Sequence, residues 1–146
     1  MSVCIIDVDH FKKVNDRYGH SVGDEVLQRI SKVIREVIPN DAIFARLGGE
    51  EFGLMLANAD EERAAAILTA CRQVIEKSHL ENPEDSQANV EVTVSIGAVA
   101  YAKQFDCIDD ALGQADKALY AVKKAGRNRV NFWSVSAGPG PAKLIA

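Results

Sequence analysis

The sequence predicts an α+β fold, in which helices flank a central, mostly antiparallel sheet. Apolar runs of strand length and amphipathic segments of helix length follow one another in the order β, α, α, β, β, α, β, α, β. Two neighbouring strands are joined by a short glycine-containing loop, which indicates an antiparallel hairpin. With 146 residues, of which 47% are hydrophobic, the chain has the size of one domain with a single core.

The first strand and the two helices after it are predicted from apolar periodicity and from capping residues. Ser2 to Val8 is a nearly continuous apolar run, typical of a central strand that is buried on both faces. Asp9 is expected to cap a helix that ends at Tyr18. Ser21 and Asp24 form the Ser-x-x-acid pattern that can start a second helix.

The hairpin carries two carboxylates at its turn. It joins apolar runs at Ala42–Ala45 and Phe52–Leu56 through a loop containing Gly48-Gly49-Glu50-Glu51. The glycines allow the backbone to turn and to approach a ligand closely. Taken alone, the segment is more often a plain turn with a solvated acidic edge than a binding site.

The second half of the chain predicts two more helices and two more strands. In order, we expect a helix at Asp60–Ser78, a polar surface loop at Leu80–Asn89, a strand at Val90–Ile96, a helix at Asp106–Lys124 with Gly126 as its C-cap, an edge strand at Arg129–Trp133 and a disordered tail at Ser134–Ala146. Gly97, directly after the strand at Val90–Ile96, is expected to mark a bulge or a close backbone approach.

Composition excludes several classes of function. A net charge of -4 and a pI near 5.4 argue against broad binding to nucleic acid or to an anionic membrane. No apolar run reaches the roughly 18 residues of a membrane-spanning helix, and no signal peptide is recognisable, so we expect a cytoplasmic location. The three cysteines stand singly without CxxC spacing and indicate reduced core thiols. Met1 leads almost directly into a strand, which indicates a piece of a longer protein.

Two acids end the first strand, where a buried carboxylate is costly unless it is paired or bound to a metal. If this strand lies beside the hairpin, Asp7 and Glu50 could bind Mg²⁺ together with a backbone carbonyl. For Asp9, helix capping is the favoured interpretation over metal binding.

Two basic segments could bind phosphate. Lys12 and Lys13 lie just inside a helix N-terminus, where backbone N–H groups already favour anions. Lys123 and Arg127 lie at a helix end and in the turn after it, where they could hold a polyphosphate. Solubility and the helix dipole explain such residues equally well when each is taken alone. Neither GxxxxGK[ST] nor GxGxxG occurs, so a nucleotide would need another architecture.

Together these segments resemble the successive motifs of the GGDEF domain, the bacterial diguanylate cyclase, in its GGEEF variant. The matching segments are Asp7–His20, Gly23–Leu27, Arg46–Phe52, Val94–Gly97, Ala115–Tyr120 and Lys123–Asn128. The resemblance covers about Val3 to Phe132, so we assign the domain to residues 1–133. It implies a palm-like fold related to nucleotidyl cyclases and polymerases.

The resemblance implies that the domain condenses two GTP into cyclic di-GMP and two pyrophosphates by two-metal phosphoryl transfer. Each site would use two Mg²⁺ ions, or Mn²⁺ in their place. Each domain would bind one GTP, so catalysis needs a second GGDEF domain in a homodimer. A sensor or receiver domain is expected upstream in a parent protein that is either soluble or anchored in a membrane. No nucleic acid partner and no membrane contact by this fragment are expected.

Site residues follow from the resemblance position by position. Metal ligands are Asp7, the Val8 carbonyl, Glu50 and Glu51; guanine is bound by Asn15 and Asp24; phosphates meet the backbone of His10 and Phe11 and the side chains Lys12, Lys123 and Arg127; and Gly48 and Gly49 give clearance. Glu50 and Glu51 are the catalytic acids. Whether Glu51 binds the second metal or accepts the proton of the 3′-hydroxyl is left open. A carboxylate such as Asp24 can accept from N1 and N2 of guanine, a donor pair that adenine lacks.

The chain also departs from the family. Pro39 and Ala42 stand where the family commonly has the arginine and the aspartate of an Arg-x-x-Asp inhibitory site, so we expect no product inhibition there. The family's N-terminal helix is missing, and His10 replaces a frequent phenylalanine. The alternative function is a catalytically inactive module that binds GTP or transmits a signal, but retention of both signature acids favours the enzyme.

Overall fold

A computed structural model describes residues 1–78, 80–82, 85–100, 107–133 and 143–145. Their elements are β1 Ser2–Val8, α1 Phe11–Tyr18, α2 His20–Val37, β2 Ile43–Gly48, β3 Glu51–Leu56, α3 Glu61–Lys77, β4 Leu80–Asn82, β5 Asp85–Val90, β6 Val94–Ala100, α4 Ile108–Lys124, β7 Val130–Trp133 and β8 Lys143–Ile145. Within these ranges no helix is long and apolar enough to cross a membrane.

Six strands form the main sheet in the order β2-β3-β1-β6-β7-β8. Among the described strands of this sheet, only the pairing of β6 with β7 is parallel, and the other four pairings are antiparallel. The expected α+β fold with a mostly antiparallel sheet is therefore confirmed. β1 lies between β3 and β6 and is buried along its whole length, as its apolar sequence predicts.

Helices cover both faces of this sheet. α1, α2 and α3 bury one face, to which β1 contributes Cys4, Ile6 and Val8. α4 covers the other face, to which β1 contributes Val3 and Ile5. Because side chains alternate along a strand, Asp7 also lies on the α4 face. Of the two expectations for Gly97, a bulge or a close backbone approach, the structure shows the close approach: α4 packs so near that an added Cβ would overlap its backbone.

The predicted helix starts need correction. Asp9 does not cap α1: the helix begins at Phe11, His10 occupies the N-cap position, and no side-chain cap bond forms. α2 begins at His20 rather than after Ser21, because Gly19, at φ 87°, turns the chain directly from one helix into the next.

The region before β6 also differs from the prediction. The expected surface loop contains β4 and β5, which form a separate two-stranded antiparallel sheet. The strand expected at Val90–Ile96 is interrupted, because β5 ends at Val90 and β6 begins only at Val94. Alternation of apolar residues continues through the connection, so periodicity could not show the break.

The C-terminal end of the sheet is longer than expected. β7 is not an edge strand, because β8 pairs with it in antiparallel orientation. Disorder was therefore the wrong prediction for Lys143–Ile145, where the open side of β7 provides backbone partners. The rest of the predicted disordered tail, 134–142 and 146, lies outside the described residues.

Candidate active site

Asp7, Glu50 and Glu51 lie near one end of the central strands. Asp7, near the end of β1, lies directly opposite Glu51, the first residue of β3. The Val8 N–H donates a hydrogen bond of 3.2 Å to the Glu50 carbonyl. Gly49, at φ 52°, forms the turn between β2 and β3 and places Glu50 at this edge. The register thus brings the predicted acids together, as the sequence analysis expected.

The electrostatics of Asp7 reflect this crowding. Burial raises the pKa of Asp7 above its usual value, and the nearby charges of Glu50 and Glu51 raise it further. Lys123 opposes this shift, because its Nζ donates a 2.8 Å hydrogen bond to Asp7 Oδ2. The site therefore combines the buried Asp7, whose partner is the ammonium group of Lys123, with the half-buried Glu50 and Glu51.

These donors fit a hard divalent cation. N–H and C=O of a strand residue point to the same side, so the Val8 carbonyl faces the hairpin, as its N–H does. The reciprocal bond, from the Glu50 N–H to this carbonyl, is not formed in the described part of the chain. Among the described residues, no three His, Cys, Asp or Glu side chains cluster as a ready-made metal site. Two carboxylates and a carbonyl suit Mg²⁺, which keeps several waters.

The connection from β1 to α1 is an open helix N-terminus. His10 adopts a left-handed conformation with φ 55°, its side chain is exposed, and no acid occupies the first turn of α1. The first N–H groups of a helix lack internal partners and favour anions. Lys12 is 90% exposed and makes only a loose 3.7 Å ion pair with Asp16. Of the predicted phosphate residues in this segment, His10 and Lys12 are thus exposed, whereas Phe11 is buried.

The two other predicted phosphate residues have different surroundings. Lys123, in the last turn of α4, is bound to Asp7 instead of being free for phosphate. Arg127 lies in the turn after α4, whose Gly126, Arg127 and Asn128 all have positive φ angles. The Arg127 N–H donates to the Val122 carbonyl at 3.0 Å, which fixes the start of this turn.

The predicted guanine residues lie on α1 and α2. The Asn15 side chain packs over Gly23, where an added Cβ would overlap its Oδ1. In the described part of the chain this oxygen is buried without a hydrogen-bond partner, and the same amide carries a nitrogen that can donate. Asp24 is exposed and lines a cavity of about 520 Å³ beside Arg46 and Phe52 of the hairpin. Helix geometry brings the two residues to adjacent surfaces.

Sequence reasoning missed a polar network next to Arg127. The Asp9 carboxylate accepts hydrogen bonds from Thr93 Oγ1 at 2.7 Å, Ser95 Oγ at 2.6 Å and the Asn128 N–H at 3.1 Å. Asn128 further contacts two residues of α3, Arg72 and Glu76. Arg72 could have indicated this network, because it interrupts the apolar pattern of α3; in the structure Arg72 is buried, whereas Val74 is exposed.

Comparison with known proteins identifies the family of this fold. Residues 1–129 match the GGDEF domain family of diguanylate cyclases. Over 128 residues the chain is 44% identical to the probable diguanylate cyclase DgcT of Escherichia coli, covering 88% of this chain and 28% of the relative. It spans 28 to 35% of the first two curated relatives.

Solved structures agree with this match. The GGDEF domain of DgcB from Caulobacter crescentus, in complex with c-di-GMP, superimposes with a TM-score of 0.84 at 32% identity, covering 90% of this chain and 76% of that one. An active GGEEF domain of a diguanylate cyclase from Vibrio cholerae gives 0.83 at 33% identity, with coverages of 91% and 82%.

Proposed function

Because the chain belongs to the GGDEF domain family, we propose that it is the catalytic domain of a diguanylate cyclase. It condenses two GTP into cyclic di-GMP and releases two pyrophosphates. The observation that carries this proposal is the arrangement of three acidic residues near the end of the central strands. Asp7 lies opposite Glu51, and the Val8 N–H is hydrogen-bonded to the Glu50 carbonyl. These carboxylates suit phosphoryl transfer, whose main requirement is positioning and charge compensation.

We assign the cation-binding groups to Asp7, the Val8 carbonyl, Glu50 and Glu51. Two Mg²⁺ ions, or Mn²⁺, would lower the pKa of the attacking 3′-hydroxyl and offset charge on the α-phosphate and the leaving pyrophosphate. Asp7 is suited to this role because burial and its acidic neighbours make its isolated charge unfavourable. Lys123 balances that charge in the protein without ligand.

The remaining residues bind and orient the nucleotide. Asp24 accepts from N1 and N2 of guanine, and the amide nitrogen of Asn15 donates to an acceptor on the base. Phosphates contact the α1 N-terminus at His10 and Phe11, with Lys12 beside it. Lys123 and Arg127 supply positive charge from the end of α4, and Lys123 exchanges Asp7 for phosphate when GTP enters.

Glu51 has two roles open to it. Its position opposite Asp7 suits a second cation ligand, and its half-buried carboxylate equally suits acceptance of the 3′-hydroxyl proton. Among the described residues no atom lies within 4 Å of a Cβ added at Gly48 or Gly49, so the space beside this turn is open to the nucleotide.

Cyclisation requires two copies of the domain. One group of acids serves one GTP, whereas each 3′-hydroxyl must attack the α-phosphate of the other nucleotide. Two domains therefore face each other as a homodimer, and a single domain is nearly inactive. Residues 1–133 form the catalytic unit, and an upstream sensor or receiver domain of the parent protein controls pairing. The supply of GTP places this unit in the cytoplasm.

Product inhibition through an Arg-x-x-Asp site is absent in this proposal. Pro39 and Ala42 occupy the two positions, and the Ala42 N–H donates to the Pro39 carbonyl at 3.0 Å in a tight turn. The adjacent acid, Asp41, accepts a hydrogen bond from Asn58 and has no arginine three residues before it.

Turnover of GTP with Mg²⁺ by a forced dimer tests the proposal, with cyclic di-GMP separated by chromatography. We expect Glu50→Gln and Glu51→Gln each to lower the rate at least about 100-fold, the usual scale for loss of a key electrostatic group. Glu62→Gln, at an exposed position in the first turn of α3, is the matched surface control and should keep the wild-type rate. GTP binding without turnover in the wild type would instead support the inactive module.

A further inference from the structure

The turn after α4 adopts a conformation that L-residues avoid. Arg127 and Asn128 follow each other at φ 65° and φ 50°, although neither is glycine. Left-handed backbone costs roughly 1 kcal/mol or more per residue, and asparagine tolerates it best. Two such residues in succession persist only when surrounding contacts hold them. The turn that carries Arg127 therefore needs an external support.

Asn128 provides this support on both its backbone and its side chain. Its N–H donates to Asp9 at 3.1 Å, and Asp9 is itself fixed by two hydroxyl donors on and next to β6. Its Oδ1 accepts from Arg72 Nη1 at 2.9 Å, and its Nδ2 donates to Glu76 Oε1 at 2.7 Å. Arg72 also donates to Glu76 Oε2 at 2.8 Å, which closes a ring of three side chains.

The chemistry of this ring selects asparagine. The position requires an acceptor for the Arg72 guanidinium and a donor for the Glu76 carboxylate on one short side chain. An aspartate would accept from Arg72 but would repel Glu76. Because Arg72 is largely buried, its position is set by α3, and it transmits that position to the turn. In the described part of the chain no ion pair occupies Arg127 itself, so its guanidinium is available to a ligand.

We propose that Asn128 is a positioning residue for triphosphate binding, an inference that rests on the proposed function. Through Asp9, Arg72 and Glu76 it connects α3 and the segment after β1 to the turn, and it thereby directs Arg127 towards the phosphates beside Asp7. Asn128 does not contact the nucleotide. Its loss therefore lowers affinity for the triphosphate and leaves affinity for the nucleoside unchanged.

The test compares three probes, GTP, inorganic tripolyphosphate and guanosine, by calorimetry on the whole chain. Asn128→Asp should weaken GTP and tripolyphosphate about tenfold, equivalent to about 1.4 kcal/mol, and should leave guanosine within twofold of the wild type. Adding Glu76→Gln restores a donor–acceptor pair with exchanged roles, so the double variant should recover most of the lost affinity. Asn58→Asp is the matched control, because Asn58 also donates to a carboxylate, Asp41, but lies outside the site.

Asn128→Gly gives a second variant if the aspartate impairs folding. Glycine keeps the left-handed backbone and the N–H bond to Asp9 while removing the side-chain ring, so it should also lose triphosphate affinity. Wild-type affinity for tripolyphosphate in both variants, equal losses for guanosine, or failure of Glu76→Gln to rescue would overturn the positioning role. Failure of the wild type to bind GTP would overturn the proposed function instead.

Discussion

Gly23→Ala separates guanine recognition from folding. The residue lies inside α2 with an ordinary helical backbone, so alanine should improve helix propensity by about 0.5–1 kcal/mol. The added methyl group overlaps Asn15 Oδ1 and lies only 3.1 Å from both Asn15 Cγ and Phe11 Cζ. The Asn15 amide must retreat by roughly 1 Å or more to restore an ordinary C···O contact. Rotation of a side-chain end allows this movement at little cost to stability.

The displaced amide can no longer donate to the base. Loss of one such hydrogen bond is worth about 1 kcal/mol, so affinity for guanosine and GTP should fall roughly fivefold. Affinity for tripolyphosphate should stay unchanged, which is the opposite pattern from Asn128→Asp. The midpoint of thermal unfolding should stay the same or rise.

Gly113→Ala is the matched control for this prediction. Gly113 lies in α4, and no atom lies within 4 Å of an added Cβ. It gains the same helix propensity without touching Asn15, so guanosine binding should not change. Wild-type guanosine affinity in Gly23→Ala, or a clear loss of stability, would refute the assigned role of the Asn15–Gly23 contact.

Three further predictions concern the rest of the fold. The hydrogen bond from Asn128, and after it Arg72, hold the pKa of Glu76 below its usual 4.5. The ionised Glu76 carboxylate therefore stabilises the folded protein above pH 4.5, and this contribution is lost as pH falls through the lowered pKa. The difference in unfolding midpoint between wild type and Glu76→Gln should shrink in that acid range, and a pH-independent difference would contradict this. Gly97→Ala drives a methyl group into the backbone of α4 at Ala115 and Leu119. It should lower the free energy of unfolding, measured by urea titration, by at least about 2 kcal/mol; unchanged stability would contradict this by showing that α4 can shift. Burial raises the pKa of the Cys4 thiol and raises that of Cys71 to about 12, whereas Cys107 is exposed. A thiol reagent should therefore modify Cys107 first in the folded protein, and equally fast modification of all three cysteines would contradict the burial of Cys4 and Cys71.

Much of the fold could be predicted because its signals are local. The apolar run of β1, the glycine turn after β2 and the helical stripes of α2 and α3 depend on neighbouring residues. The hydrogen bonds of Asp9 depend on residues far along the chain, so local reasoning assigned it to a helix cap. Short strands such as β4 and β8 are fixed by their pairing partners, which periodicity does not show.

The candidate site likewise contains contacts that could be predicted from the sequence and contacts that could not. The acids at the end of β1 and in the hairpin could be grouped from sequence, since strand register alone brings them together. The bond between Lys123 and Asp7 could not be predicted, because it depends on how α4 packs against the face of the sheet on which Asp7 lies. The ring around Asn128 likewise joins α3 to a turn more than 50 residues later.

Product analysis of two paired domains tests the central claim most directly. The domain is fused to a dimerising coiled coil, supplied with GTP and Mg²⁺, and compared with the same domain held as a monomer. We predict cyclic di-GMP with two pyrophosphates per product from the dimer, almost none from the monomer, and loss of product in the paired Glu50→Gln variant. A dimer that binds GTP but forms no cyclic di-GMP, or a Glu50→Gln dimer that turns over as fast as the wild type, would contradict the account.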